Sequence, residues 1–236
     1  MNMANQEIAL VVGTGPGLSA SLARLFSKEG MKVAVAARNT GKLDGLVKEM
    51  GARAYQCDAI IPNDVENLFS AVTKDLGEPN IVVYNASRRV RGPITELDPD
   101  EVKNAILVTC YGGFLIGREA AKRMIPAGRG TILFTGASAG IKGFANSSMY
   151  AMGKFGLSGL VQSMARELQP QNIHVAQVVI DGGIYNPVRD PERIKARGPD
   201  GMLHPDSIAQ TYLHLHRQHR STWTSYTELR PWSEKF

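Results

Sequence analysis

Short apolar runs at residues 8–12, 33–36, 81–84, 131–135 and 175–180 punctuate the chain, separated by stretches of helical length such as 18–28, 64–76 and 150–168. Strands with one wet face alternate apolar and polar side chains. Unbroken apolar runs of this length suit strands covered on both faces. Their alternation with amphipathic helices predicts an α/β doubly wound fold, a Rossmann-like parallel sheet between two helical layers. Residues 53–57 read as a weaker third strand, and a helix starting near Pro205 leads to a seventh at 223–229. With no internal repeat and no interdomain linker, residues 1–236 are expected to form one domain. Segment 187–201 carries three prolines and two glycines among charged residues and reads as irregular. Its place after the sixth strand suits a loop that covers a substrate.

Composition narrows the function classes. The net charge is +5, but the 16 arginines and 11 lysines are spread along the chain. That distribution argues against nucleic-acid binding and suits an anionic cofactor. Cys57 and Cys110 are too few for a disulfide framework and form no metal-type pair. His214, His216 and His219 stand as His-x-His-x-x-His, yet positions i and i+2 of a helix point apart and no acid accompanies them. A solvated helix end is expected there, and no metal site. Neither a signal-like start at residues 1–7 nor a span of about 20 apolar residues is present, so a soluble, cytoplasmic protein is expected, without a membrane partner.

The first strand runs into Gly13-Thr14-Gly15-Pro16-Gly17-Leu18-Ser19, and a helix starts at once. Glycines allow positive φ and close backbone approach, and the free amides of a helix N-terminus receive negative charge. Gly13, Gly15, Gly17, Leu18 and Ser19 are therefore expected to cradle a dinucleotide pyrophosphate. The second strand ends without the acid that would bind a ribose 2′-hydroxyl; Arg38 and Lys42 follow instead. A guanidinium and an ammonium there favour a 2′-phosphate, so NADP(H) is preferred to NAD(H). Further on, Tyr150 and Lys154 stand at i and i+4 on one helix face, where a cation can stabilise phenolate and both groups can touch one ligand.

Together these features resemble the short-chain dehydrogenase/reductase family: Gly13, Gly17 and Ser19 follow its Gly-x-x-x-Gly-x-Gly turn with the last glycine changed, Asn85-Ala86 keeps half of its Asn-Asn-Ala-Gly, and Tyr150 with Lys154 matches its Tyr-x-x-x-Lys. The resemblance runs from residue 8 to about residue 186. It implies hydride transfer between nicotinamide and a carbonyl or alcohol, with Tyr150 as acid/base and Lys154 on both the tyrosine and the nicotinamide ribose. It implies a serine on the substrate oxygen, for which Ser138 is the first choice and Ser147 or Ser148 poorer ones. Asp58 would sit at the adenine edge, Asn85 and Ala86 along the cofactor, and the Ile184 backbone at the carboxamide. Thr109 stands where the family has a catalytic asparagine, Tyr84 and Ser87 flank Asn85-Ala86 where it has Asn and Gly, and Asp181 replaces the proline of its Pro-Gly. A homodimer or homotetramer is also implied. The departures keep a second reading open, an NADP(H)-binding relative without turnover that acts as sensor or scaffold. Finally, Arg88, Arg89 and Arg91 leave the fourth strand, where the ends of parallel strands border the ligand crevice. At least one facing the substrate would favour an anionic carbonyl compound.

Overall fold

A computed structural model describes residues 6–234. In chain order it holds β1 (Ile8–Val12), α1 (Leu18–Lys28), β2 (Lys32–Ala37), α2 (Asp44–Met50), β3 (Arg53–Gln56), α3 (Pro62–Asp75) and β4 (Ile81–Tyr84). Then follow α4 (Pro99–Ile106), a π-helical turn (Leu107–Tyr111) leading into α5 (Gly112–Ala127), β5 (Gly130–Ala137), α6 (Ser148–Leu168), β6 (Ile173–Ile180), α7 (Pro191–Arg197), α8 (Pro205–Arg217) and β7 (Tyr226–Leu229). All seven strands are parallel, in the order β3-β2-β1-β4-β5-β6-β7. The order reverses between β1 and β4, and a crevice opens beyond the carboxyl ends of strands on either side of such a reversal.

Continuity of the apolar runs follows from the two covered faces. Leu10 and Val12 of β1 join one core with Phe69 of α3, Ile116 of α5 and Leu157 of α6. Ala9 and Val11 join the other, with Leu22 and Phe26 of α1 and Tyr212 of α8. Phe26 and Phe69 are fully buried, and removing each ring from water contributes about 1.5–3 kcal/mol.

Edges explain the weak signals. β3 and β7 close the sheet at its two ends and are only partly buried, so their sequences need not be apolar. The last strand begins at Tyr226 and not at 223, because Trp223 stacks on the buried His174 imidazole at 4.8 Å and donates its indole N–H to the Gln218 carbonyl. Segment 187–201 is not wholly irregular as expected. Pro191 opens α7, its fixed φ suiting a first helical turn, and Gly198 at φ +72° closes it. Nor is His216 a solvated residue: its ring bonds Thr131 Oγ1 at 2.9 Å and Glu7 Oε1 at 3.1 Å. Among the described residues no helix is long and apolar enough to cross a membrane.

Candidate active site

A cleft of about 1510 Å³ lies at the carboxyl ends of β1, β4, β5 and β6, with the glycine turn at one end and Tyr150 and Lys154 at the other. Gly13 has φ +85°, and a Cβ on it would fall 2.5 Å from the Ala86 backbone nitrogen. Only glycine lets the end of β4 approach the turn this closely. The turn is tied to β2 as well, since the Gly13 and Thr14 amides both donate to the Ala36 carbonyl at 3.0 Å. Around Gly15 and Gly17 the space a Cβ would take is open, so the backbone facing the cleft is bare where α1 begins. The Ser19 hydroxyl donates to the Gly13 carbonyl at 3.0 Å and accepts from Asn85 Nδ2 at 2.6 Å. It locks the turn to β4, a structural bond where a phosphate contact was one expectation for the changed glycine.

Arg38 directly follows β2, and Lys42 sits in the short turn before α2; both are exposed and neither forms the cleft wall. Asp58, half-buried after β3, accepts from the Ile60 amide, while its own amide donates to Asp64 Oδ2. Its carboxylate shapes the turn into α3. Ile184 lines the cleft, held by a parallel bridge to Leu203. Asp181 is buried and pairs with Arg230 at 2.9 Å, which balances the charge that replaces a proline.

Lys154 is 2% exposed and donates to the Thr135 carbonyl at 2.8 Å. Burial, with no counter-charge beside it among the described residues, pulls its pKa down to about 8. Its Nζ lies 5.8 Å from the Tyr150 ring centre, whereas the Arg89 guanidinium lies 4.8 Å from it. Of the two cations, Arg89 lies closer to the ring centre, so it joins Lys154 as a group that can favour phenolate. Burial raises the Tyr150 pKa and outweighs the opposing pulls of Arg89 and Ser87, so the phenol is protonated at neutral pH.

Ser138 opens a short turn (Ser138–Gly140) after β5 and lines the cleft beside Ala137. That turn is held against α6, because a Cβ on Gly140 would lie 2.7 Å from Ser158 Oγ and 2.9 Å from the Lys154 carbonyl. Ser147 also reaches the cleft from just before α6, but is buried; Ser148 does not line it. Thr109, in the π-helical turn, is 1% exposed and away from the cleft wall. Its hydroxyl accepts from the Arg88 amide at 3.3 Å, and its side chain packs on Gly153. Among the described residues no hydrogen bond joins it to Lys154, so it positions the loop after β4. Tyr84, fully buried, donates its hydroxyl to the Val108 carbonyl in the same turn. This accounts for a tyrosine where the family has asparagine: the phenol reaches a carbonyl in the widened turn.

Of the three arginines after β4, Arg89 and Arg91 line the cleft and Arg88 pairs with Glu101. Two groups went unassigned in the sequence. Ser87 abuts Tyr150, and its place at the end of a central strand was the available signal. Arg193 of α7 also lines the cleft, packed on Gly183, and the short charged segment had no periodicity to reveal it.

A family model described as short chain dehydrogenase matches residues 7–193. The chain is 29% identical to a 3-oxoacyl-[acyl-carrier-protein] reductase of Bos taurus over 181 residues, 76% of each chain. Two solved structures are similar throughout: a short-chain dehydrogenase from Rhodopseudomonas palustris, with TM-score 0.82 and 32% identity over 96% of this chain and 99% of that one, and a metagenomic short-chain oxidoreductase in complex with NADP, with TM-score 0.83 and 27% identity over 95% and 97%. The matched span carries the glycine turn, Asn85-Ala86 and the Tyr150/Lys154 pair in one cleft, and the chain belongs to the short-chain dehydrogenase/reductase family.

Proposed function

We propose that this oxidoreductase reduces a carbonyl compound with NADPH. The observation that carries the reading is a protonated phenol and a desolvated ammonium at one end of a cleft whose other end is a bare glycine turn at a helix N-terminus. The residues present fit the cofactor. The turn formed by Gly13, Gly15, Gly17 and Leu18 leaves room for a pyrophosphate, and Arg38 with Lys42 suits a 2′-phosphate. Asp58, Asn85, Ala86 and the Ile184 backbone fit further along the nucleotide. An ammonium has three donors, and Lys154 uses one on Thr135, so donors remain for ribose hydroxyls.

Bound along this cleft, NADPH supplies the hydride that reduces the carbonyl carbon to the alcohol. Tyr150 gives its proton to the carbonyl oxygen as the C=O bond becomes C–OH, and the resulting phenolate is stabilised by Arg89. Ser138 donates a hydrogen bond to the same oxygen and polarises it. Lys154 holds the ribose and supports the tyrosine electrostatically. Water returns the proton to Tyr150.

A panel of aldehydes, ketones and acyl thioesters with NADPH and NADH tests this. NADPH should be preferred by about tenfold or more, the scale of a charge-assisted contact, and Arg38→Ala should erase that preference. Equal affinity for NADH in the parent protein would sink the cofactor assignment. The missing bond between Thr109 and Lys154 favours the second reading, a sensor or scaffold, and tight NADPH binding with no oxidation across the panel would establish it.

A pH dependence follows from Lys154. Its cation is present below about 8 and lost above it. The kcat/KM for carbonyl reduction, which reports the free protein, should therefore be highest near neutral pH and fall as pH rises through about 8. A flat profile from pH 7 to 9 would exclude a role for the charge.

A further inference from the structure

Besides Lys154, four cations line the cleft without a carboxylate partner among the described residues: Arg89 and Arg91 from the loop after β4, Lys142 from the loop after β5, and Arg193 from α7. The other arginines on its walls are engaged, Arg24 with Glu49 and Arg189 with Asp190. Its acids are engaged too, Asp181 with Arg230 and Glu234 with Arg197. Asp206 sits in the first turn of α8, where a helix N-terminus accommodates its charge. The cleft thus holds an excess of positive charge. Part of it is concentrated at the Tyr150 end, where the Arg89 guanidinium lies 4.8 Å from the ring centre.

Arg89 feels the charge of both other arginines. Burial chiefly, then the charge of Arg91, make the Arg89 cation harder to hold; Tyr150 opposes this and Arg193 adds to it more weakly. Like charges gathered without a counter-ion raise the energy of the free protein, and an anion placed among them relieves it. The Arg193 guanidinium is seated against backbone, since a Cβ on Gly183 would fall 2.8 Å from its central carbon.

We propose that Arg89, Arg91 and Arg193 form a receptor for an oxyanion group, carboxylate or phosphate, carried by the carbonyl substrate, with α7 supplying one of the three guanidinium groups. The inference rests on the reductase reading above, because it takes Tyr150 as the group that meets the reacting oxygen. Planar guanidinium forks match both oxyanions. The closeness of Arg89 to the phenol puts the anion within a few bonds of the carbonyl, as in 2- and 3-oxo acids and phosphorylated hydroxyketones. The cofactor phosphates are assigned elsewhere, to the glycine turn at the other end of the cleft and to Arg38 outside its wall.

The test is calorimetric titration of the NADPH-saturated protein with two pairs of probes: acetoacetate against ethyl acetoacetate for a carboxylate, and dihydroxyacetone phosphate against dihydroxyacetone for a phosphate. The anion of at least one pair should bind about tenfold or more tighter than its neutral counterpart, and the difference should shrink as salt rises to about 0.5 M. Arg91→Gln and Arg193→Gln should each weaken the anion by about tenfold and leave the neutral probe unchanged, while Arg89→Gln should weaken the anion at least as much. Arg88→Gln, whose parent side chain pairs with Glu101, should change neither. Equal affinities within both pairs, or equal losses for anion and neutral probe in Arg91→Gln and Arg193→Gln, would overturn the proposal. So would anion binding that NADPH displaces, since the arginines would then serve the cofactor. Anion binding without NADPH oxidation retires the reductase reading and keeps the anion site, whereas oxidation with neutral ketones and no anion preference does the reverse.

Discussion

Tyr150→Phe is expected to lower kcat for carbonyl reduction by about 10³-fold while leaving the Kd for NADPH nearly unchanged. The substitution removes one hydroxyl and leaves the ring, which remains beneath Arg89 and at the start of α6. What is lost is the proton of the phenol, which burial makes still harder to remove. Water can reach the substrate oxygen in its place, but it is neither oriented nor matched in acidity, and positioned general acids contribute roughly 10²- to 10⁴-fold. Stopped-flow reduction together with a fluorescence titration of NADPH separates chemistry from binding. A loss below about tenfold would place the proton donor elsewhere, with Ser138 the first group to examine. A parallel loss of NADPH affinity would make Tyr150 a binding residue.

Lys154→Met should lower kcat/KM by about 10²-fold and weaken NADPH as well, because it removes the electrostatic support of the tyrosine and the donors available to the ribose. Its effect on stability should be small or favourable, which is unusual for a buried position. The ammonium is pulled from 10.5 to about 8, so at pH 7 its burial costs the native state about 3 kcal/mol. The sign follows from linkage: the unfolded chain binds the proton more tightly, so stability rises as pH increases from about 8 to 10.5, and below about 8 the full cost is present. Methionine fills a similar volume without that cost, but leaves the Thr135 carbonyl without this donor, a loss of about 1–3 kcal/mol. Thermal denaturation should therefore show an unchanged or higher Tm at pH 7, with the rise in stability between about pH 8 and 10.5 removed. A strongly lowered Tm with intact kinetics would make Lys154 a structural residue.

A lysine held at such a cost is hard to explain by packing alone. Lys154 lies on α6, the helix whose Leu157, Val161 and Ala165 enter the core on the α3 and α5 side of the sheet. An apolar residue would serve that packing better, and the charge is supported by the chemistry assigned to the cleft.

Amino-acid pattern determined the scaffold. Parallel strands covered on both faces leave unbroken apolar runs, so β1, β2, β4, β5 and β6 were legible from sequence, and alternation with helices implied the sheet. The edge strands β3 and β7 were blurred because half their surface needs no apolar side chain. The glycine turn was legible for the same kind of reason. Gly13 answers a local demand, a positive φ and a close backbone approach, that is written into the residue type. Tyr150 and Lys154 were legible because one helical turn places i and i+4 on one face.

Contacts between elements distant in the chain were left to the tertiary structure. That Arg89 and not Lys154 lies nearer the Tyr150 ring centre depends on how the loop after β4 folds over the start of α6. Arg88 turns to Glu101 while its neighbour enters the cleft, a choice made by the position of α4. Thr109 binds the Arg88 backbone because the π-helical turn carries it there. Asp181 is balanced by Arg230, 49 positions on, and Arg193 reaches the cleft on a helix only seven residues long. Local preferences act through backbone geometry and are readable along the chain; which charges meet is set by three-dimensional distance, which falls into place only when the sheet brings its strand ends together.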